Sequence, residues 1–185
     1  MDELIQTNSE NEEQTKEVST KEAENTNNNN ARNEQNTSKA EETKVEPQKD
    51  PVFALPVEGE MMKEYAKDRL VYSETLKEWT QHTGVDIKAE KATVVKAAEK
   101  GKVTAIKNDP RYGITVIIEH ANGYETRYAN LLTAEFVNVG EEVTIGQTIG
   151  TVGNTGAFEI LDESHLHFEI LKDGEYLDPQ VFVEM

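Results

Sequence analysis

The sequence predicts a mostly β protein, an antiparallel sheet core preceded by a disordered N-terminal arm, and three observations carry that expectation. Short segments rich in β-branched and aromatic residues recur from Thr93 to Leu171, tight-turn dipeptides separate them, and the first fifty residues have a composition that cannot build a core.

The arm comes first in the chain. Residues 1–50 hold no aromatic residue, few aliphatics and the run Asn27-Asn28-Asn29-Asn30 among Glu, Lys, Ser and Thr. Such a stretch buries too little apolar surface to offset its ordering entropy. It reads as a disordered, acidic, Asn-rich linker ending where Pro47 and Pro51 mark a change of composition. Residues 51–185 then form the folded domain, long enough for one core without disulfides.

Within that domain the expected strands are Thr93–Ala97, Gly101–Ile106, Ile114–Glu119, Glu125–Tyr128, Glu135–Val137, Gln147–Val152 and His167–Leu171, each bounded by turn formers. Lys100-Gly101, Asn122-Gly123 and Asp173-Gly174 are tight-turn pairs, and Asn122-Gly123 between two alternating runs is a strong hairpin signal. Met61–Trp79 mixes Lys, Glu and Tyr and is expected to be a short helix followed by an extended stretch.

Charge and composition exclude several classes of function. The net charge of −17 is spread over both parts, with 13 acidic and 6 basic residues in the arm and 23 and 13 in the remainder. Nucleic acid is disfavoured, because its affinity comes from Lys and Arg neutralising phosphates, and an anionic membrane surface is disfavoured for the same reason. With no cysteine there is no disulfide, thiolate metal site or Cys nucleophile. No run of roughly 18 apolar residues and no signal-peptide pattern occurs in this chain. A low-complexity arm directly before a domain is nevertheless what an anchor lying upstream would leave, so an upstream anchor is expected.

Three of the four histidines fall in two clusters. His82-Thr83-Gly84-Val85-Asp86 sets an imidazole and a carboxylate four residues apart, with Gly84 expected to let the backbone bend between them. His165-Leu166-His167-Phe168 sets two imidazoles at i and i+2, on one face of a strand, while Leu166 and Phe168 point to the core. Two His and one Asp match the three protein ligands of a catalytic zinc site. His120, beside the Asn122-Gly123 turn, reads instead as a satisfied structural histidine. The Gly-punctuated stretch Val137–Gly150 is locally like a biotinyl or lipoyl carrier domain, but no lysine lies where a carrier attaches its cofactor.

Taken in order along the chain, five motifs resemble the lysostaphin-type (LytM-like) zinc peptidases that cleave peptide cross-links in bacterial cell walls. They are His82-Thr83-Gly84-Val85-Asp86, Asn122-Gly123-Tyr124 with Tyr128-Ala129-Asn130-Leu131, Val139-Gly140 with Gly146-Gln147-Thr148-Ile149-Gly150, Gly153-Asn154-Thr155-Gly156, and His165-Leu166-His167-Phe168-Glu169. The resemblance spans residues ~53–182. It implies a LytM-like β-sheet core crossed by a groove, one Zn2+ ion held by His82, Asp86 and His167, and His165 as one of two catalytic histidines.

One position departs from the family. Where active members carry Tyr-x-His-Leu, this chain has Tyr128-Ala129-Asn130-Leu131. An amide donates and accepts hydrogen bonds but transfers no proton at neutral pH, and acid–base help is typically worth about 10²–10⁴-fold. Asn130 is thus the second residue of a catalytic pair, His165 and Asn130, that is incomplete. The pattern is similar to a clostridial sporulation branch of the family. That branch implies an extracytoplasmic protein of the forespore membrane, acting in engulfment and in a mother cell–forespore channel. Its partner there is a mother-cell protein of the stage III sporulation protein AH type. Two functions are carried forward: a zinc-binding interaction module with weak or lost peptidase activity, and an active peptidoglycan endopeptidase that tolerates Asn130. A third, a metal-free domain with relic histidines, is disfavoured because all three ligand types are retained.

Overall fold

Ile114–Glu119 carries apolar side chains at adjacent positions, a pattern for a strand covered on both faces, and the run following Asn122-Gly123 alternates as far as Tyr128 and is then buried continuously to Leu131. Both become central strands. The computed structural model describes residues 50–183; the linker expected over residues 1–50 lies outside the described residues apart from Asp50. In chain order the strands are β1 (Glu60–Lys63), β2 (Ala66–Ser73), β3 (Glu78–His82), β4 (Val85–Lys88), β5 (Val94–Lys96), β6 (Gly101–Asp109), β7 (Gly113–Glu119), β8 (Tyr124–Thr133), β9 (Glu142–Val143), β10 (Thr148–Val152), β11 (His165–Lys172) and β12 (Glu175–Leu177). Three short 3-10 turns are the only helical elements among the described residues.

The main sheet runs β1-β4-β11-β8-β7-β6-β9; β10 joins β5 to β8, and β12 pairs with β11. All of these pairings are antiparallel. The expected mostly β, antiparallel class is therefore the observed one. Asn122-Gly123 closes the β7–β8 hairpin and Asp173-Gly174 the β11–β12 hairpin, all four residues with positive φ. That conformation is the one the two-residue β11–β12 turn demands; in the β7–β8 connection the pair ends the short 3-10 turn Ala121–Gly123.

Two expected elements are corrected. Met61–Trp79 contains no helix: it is β1, β2 and the start of β3, with β2 and β3 forming a separate two-stranded sheet. Tyr72 and Trp79 face each other across that hairpin with ring centroids 5.6 Å apart. Its turn is held by Ser73, whose carbonyl accepts from Lys77 N at 2.8 Å and whose hydroxyl accepts from Leu76 N at 3.1 Å. Aromatic pairing and a side-chain-capped turn outweigh the helix propensity of the Lys and Glu residues between. Glu135–Val137, expected as a strand, is a turn in which only Val137 is buried.

The core lies under β4, β7, β8, β10 and β11, where Ile87, Ile118, Tyr128, Leu131, Ile149, Leu166 and Phe168 are fully buried. It contains one polar chain. The Tyr128 oxygen accepts from Ala98 N at 2.8 Å and shares a 3.0 Å hydrogen bond with Thr126, which lies 2.7 Å from His120 Nε2. His120 Nδ1 donates to the Lys100 carbonyl at 2.8 Å. Burial pushes the Tyr128 hydroxyl up to about 12. His120 is the satisfied core histidine the sequence pointed to.

Burial also holds His120 below the usual 6.5, so the unfolded chain takes its proton first as pH falls. By linkage, the stability His120 contributes is fully present above 6.5 and is lost as pH drops below it. Urea unfolding with chelator present, at pH 7 and pH 5, is expected to show a smaller acid loss for His120→Gln than for the parent. Equal losses would assign the acid sensitivity elsewhere.

Candidate metal centre

Asp86 on β4 and His167 on β11 are register partners across an antiparallel pair, a relation that makes two side chains near neighbours on one face. His167 Nδ1 lies 2.8 Å from Asp86 Oδ1. His82, the last residue of β3, enters from the other sheet; its Nε2 lies 3.1 Å from Asp86 Oδ1 and 3.2 Å from His167 Nδ1. Three donor atoms from three strands thus form one small triangle.

Their outer hydrogen bonds determine which way the lone pairs face. His82 Nδ1 donates to the Glu64 carbonyl at 2.9 Å, and His167 Nε2 faces Glu169 Oε1 at 3.3 Å. When the inner nitrogens give up their protons, the outer ones stay protonated on these acceptors, and the inner unshared pairs face the point beside Asp86. Glu169 is itself held by the Thr83 hydroxyl at 2.6 Å and by Arg127 Nη1 at 3.5 Å. Tyr112 stacks flat on the His167 ring, centroids 4.1 Å apart at 11°.

Gly84 forms the expected bend between β3 and β4 and serves this arrangement in a second way. Its φ is not positive, but a Cβ there would sit 2.5 Å from the Phe168 carbonyl and 3.1 Å from His167 Cε1. Only glycine lets the β3–β4 connection pass this close to β11.

The residues fit a metal ion. Asp86 Oδ2 is buried with no hydrogen-bond partner, a costly state for a carboxylate oxygen unless a cation meets it. The nearest one is Lys63 Nζ at 3.5 Å. Ligands about 2.0–2.1 Å from zinc in a tetrahedron lie about 3.3 Å from one another, close to the 2.8–3.2 Å edges of the triangle. Electrostatics point the same way. Burial alone would raise the Asp86 carboxyl, but hydrogen bonds from His167 and His82 hold it well below the usual carboxylate range. Burial alone would lower His167, yet Glu159 and Asp86 hold it well above the usual histidine value. The pocket therefore attracts positive charge.

His165 and Asn130 lie beside the triangle. His165 is fully buried; its Nδ1 donates to the Glu163 carbonyl at 2.7 Å and its Nε2 lies 3.9 Å from Asp86 Oδ1. Burial opposes its charging, but the 3.3 Å contact with Glu159 Oε2 raises its pKa. Asn130, also fully buried, accepts at Oδ1 from Thr155 N at 2.7 Å and Gly156 N at 2.9 Å, and donates through Nδ2 to the His165 carbonyl at 3.2 Å.

Sequence reasoning missed Glu159, Lys63, Tyr112 and the role of Glu169. Glu169 was within reach, because residues 165, 167 and 169 share one face of β11. Glu159 had no local signal: it is a single carboxylate on a 3-10 turn, and only the fold brings it within a few ångströms of the two imidazoles and Asp86.

Two buried imidazoles and a carboxylate on an antiparallel sheet form the donor set of a metal-dependent hydrolase. Residues 80–179 match Peptidase family M23, and the chain belongs to that family. It is 39% identical over 101 residues to the DD-carboxypeptidase/endopeptidase Mpg of Neisseria meningitidis, covering 55% of this chain and 22% of that protein. It thus spans about a fifth of the length of that relative. Among solved structures it is similar to a zinc containing peptidase from Vibrio cholerae (TM-score 0.61, 29% identity, covering 69% of this chain and 39% of that one). It is also similar to a chain of the SpoIIQ-SpoIIIAH pore forming complex (TM-score 0.62, 28% identity, covering 71% and 90%). Among the described residues no helix is long and apolar enough to cross a membrane.

Gly84→Ala is expected to destabilise the fold by about 1–3 kcal/mol through the forced clash and to weaken metal binding with it. Urea unfolding in chelator, followed by zinc titration, measures both. An unchanged midpoint would show that the β3–β4 connection has room to move.

Proposed function

We propose that the domain binds one zinc ion through His82, Asp86 and His167 and works mainly as an interaction module of the sporulation envelope, with peptidase activity weak or lost. The carrying observation is the triangle of His82 Nε2, His167 Nδ1 and Asp86 Oδ1, beside an Asn130 whose amide is tied to the backbone of Thr155 and Gly156. A zinc ion held there would supply Lewis acidity and an activated water. The protein's own part in hydrolysis is proton transfer, and here His165 is the one nearby imidazole outside the triangle. Asn130 cannot exchange protons, and its carbonyl oxygen is already occupied by two backbone donors.

The branch of the family represented by clostridial stage II sporulation protein Q gives this reading its biological setting. Likeness to the SpoIIQ-SpoIIIAH complex supports a mother-cell partner of the stage III sporulation protein AH type. The acidic arm, residues 1–50, would then be a spacer between an upstream forespore-membrane anchor and the domain in the intermembrane space. A role in engulfment and in the intercompartment channel follows from that placement. The second reading, an active peptidoglycan endopeptidase, is favoured by one observation: His165 is retained beside Asp86.

Elemental analysis after dialysis is expected to find one zinc per chain in the parent and a large loss in His82→Ala. Chelator should lower the parent's thermal midpoint, since zinc binding to the folded state stabilises it. Zinc-loaded protein is expected to release no stem peptides from cross-linked peptidoglycan. Clear release abolished by His165→Ala would establish the second reading instead. The extracytoplasmic part of the mother-cell partner is expected to bind the domain in a pull-down, and no complex with zinc present would remove the sporulation role.

A further inference from the structure

Glu159 does not belong to the three-ligand set the sequence offers, yet its carboxylate faces the same point. Its Oε1 lies 3.7 Å from His82 Nε2, and its Oε2 lies 3.8 Å from His167 Nδ1 and 3.3 Å from His165 Nε2. One donor atom from each of His82, Asp86, His167 and Glu159 lies within 4.8 Å of the other three. The Glu159 contacts of 3.7 and 3.8 Å are somewhat longer than the roughly 3.3 Å edge of a tetrahedral zinc site, a gap that a small shift of the carboxylate closes. Resting on the zinc reading above, we propose that Glu159 is the fourth protein ligand, and that it closes the metal site to exogenous ligands.

Burial supports closure. Glu159 is 4% exposed, His82 4%, and Asp86, His165 and His167 0%. The cavity that reaches His82, Glu159, Tyr112 and Lys63 from the β2–β3 hairpin has a volume of about 30 Å³. That holds one or two waters.

Charge supports it too. Glu169 pairs with Arg127 at 3.5 Å, and Lys63 lies closest to Asp162. Asp86 and Glu159 remain as two buried carboxylates whose shared cation, Lys63, stands 3.5 and 3.7 Å away and is committed elsewhere. A divalent ion between them balances the pair, whereas with Asp86 as the sole anionic ligand the ion would keep a net positive charge in a buried site.

Asn130 is the positioning residue. The segment from Gly153 to Glu159 is tied to it at three points: Gly153 N donates to its backbone carbonyl at 2.9 Å, and Thr155 N and Gly156 N donate to its side-chain oxygen. Phe158 N then donates to the Arg111 carbonyl at 3.0 Å, which sets the turn carrying Glu159. An imidazole at position 130 offers at most one acceptor, so it could not hold both N–H groups. The amide in place of histidine therefore removes a proton carrier and fastens the segment that covers the metal. His165, its Nε2 against Glu159 Oε2, becomes the outer partner that orients the fourth ligand.

The test loads the full chain with Co2+ in place of zinc and follows the visible absorption while azide is added. Affinity is measured in parallel by zinc competition with a chromophoric chelator. The parent is expected to bind one Co2+ with an intense four-coordinate spectrum that azide leaves unchanged. Glu159→Ala should still bind one ion, at least tenfold more weakly, with a spectrum that responds to azide. Asn130→Ala, with all four ligands intact, should also become azide-responsive and show faster amide exchange at Thr155 and Gly156. An azide-responsive parent, or zinc affinity in Glu159→Ala equal to the parent's, would overturn the fourth ligand while leaving the three-ligand site standing. A parent that binds no stoichiometric Co2+ or zinc would overturn the metal reading, and this inference with it.

Discussion

The register of β4 against β11, which sets His167 opposite Asp86, is the constraint on which the site depends. A slip by one residue would turn His165, His167 and Glu169 to the other face and bring Leu166, Phe168 and Ile170 into their place. The core forbids that slip. Leu166, Phe168 and Ile170 are fully buried among Val85, Ile87, Tyr128 and their neighbours, so the hydrophobic face of β11 locks the polar one. The chemistry is set by packing on the opposite side of the same strand.

Around that pair the remaining groups act by orientation. Glu64 and Glu169 hold the two ring tautomers, Thr83 and Arg127 hold Glu169, and Tyr112 covers His167. Each contact is modest alone. Together they turn lone pairs and carboxylate oxygens toward one buried point, where an unneutralised anion is expensive. Such a site is strongly biased toward a cation, and the raised His167 and lowered Asp86 record the same bias in terms of protons.

The exchange of a histidine for Asn130 has two consequences that reinforce each other. It removes a group able to move a proton, and it supplies a carbonyl oxygen that ties down the segment leading to Glu159. A metallopeptidase needs a metal that substrate can reach. In this domain that metal would lie beneath a buried carboxylate, a stacked tyrosine and a hairpin, an arrangement suited to holding a shape. Retained ligands and weak hydrolysis would then be compatible, because a metal that stabilises the fold would serve a domain proposed to bind a partner.

Much of this was legible in the residues themselves. Alternation and turn pairs such as Asn122-Gly123 specify antiparallel strands, since side-chain period and positive φ are local properties. His82, Asp86 and His167 stood out by type and spacing, and His120 as structural, because those patterns are short. Met61–Trp79 misled, since its strands are made by a cross-strand aromatic contact that has no counterpart in helix propensity. Gly84 was legible as a bend, but its close approach to Phe168 and His167, far away in sequence, was not. By itself, then, the sequence determined the fold class, offered the candidate donor residues and set an amide at position 130. Only the tertiary structure decided that Glu159 faces those donors and that Asn130 holds the segment leading to it. Asn130 meets Thr155 and Gly156 across 25 and 26 positions, and Glu159 meets His82 from the far side of the domain's sequence, separations that no local period or propensity encodes.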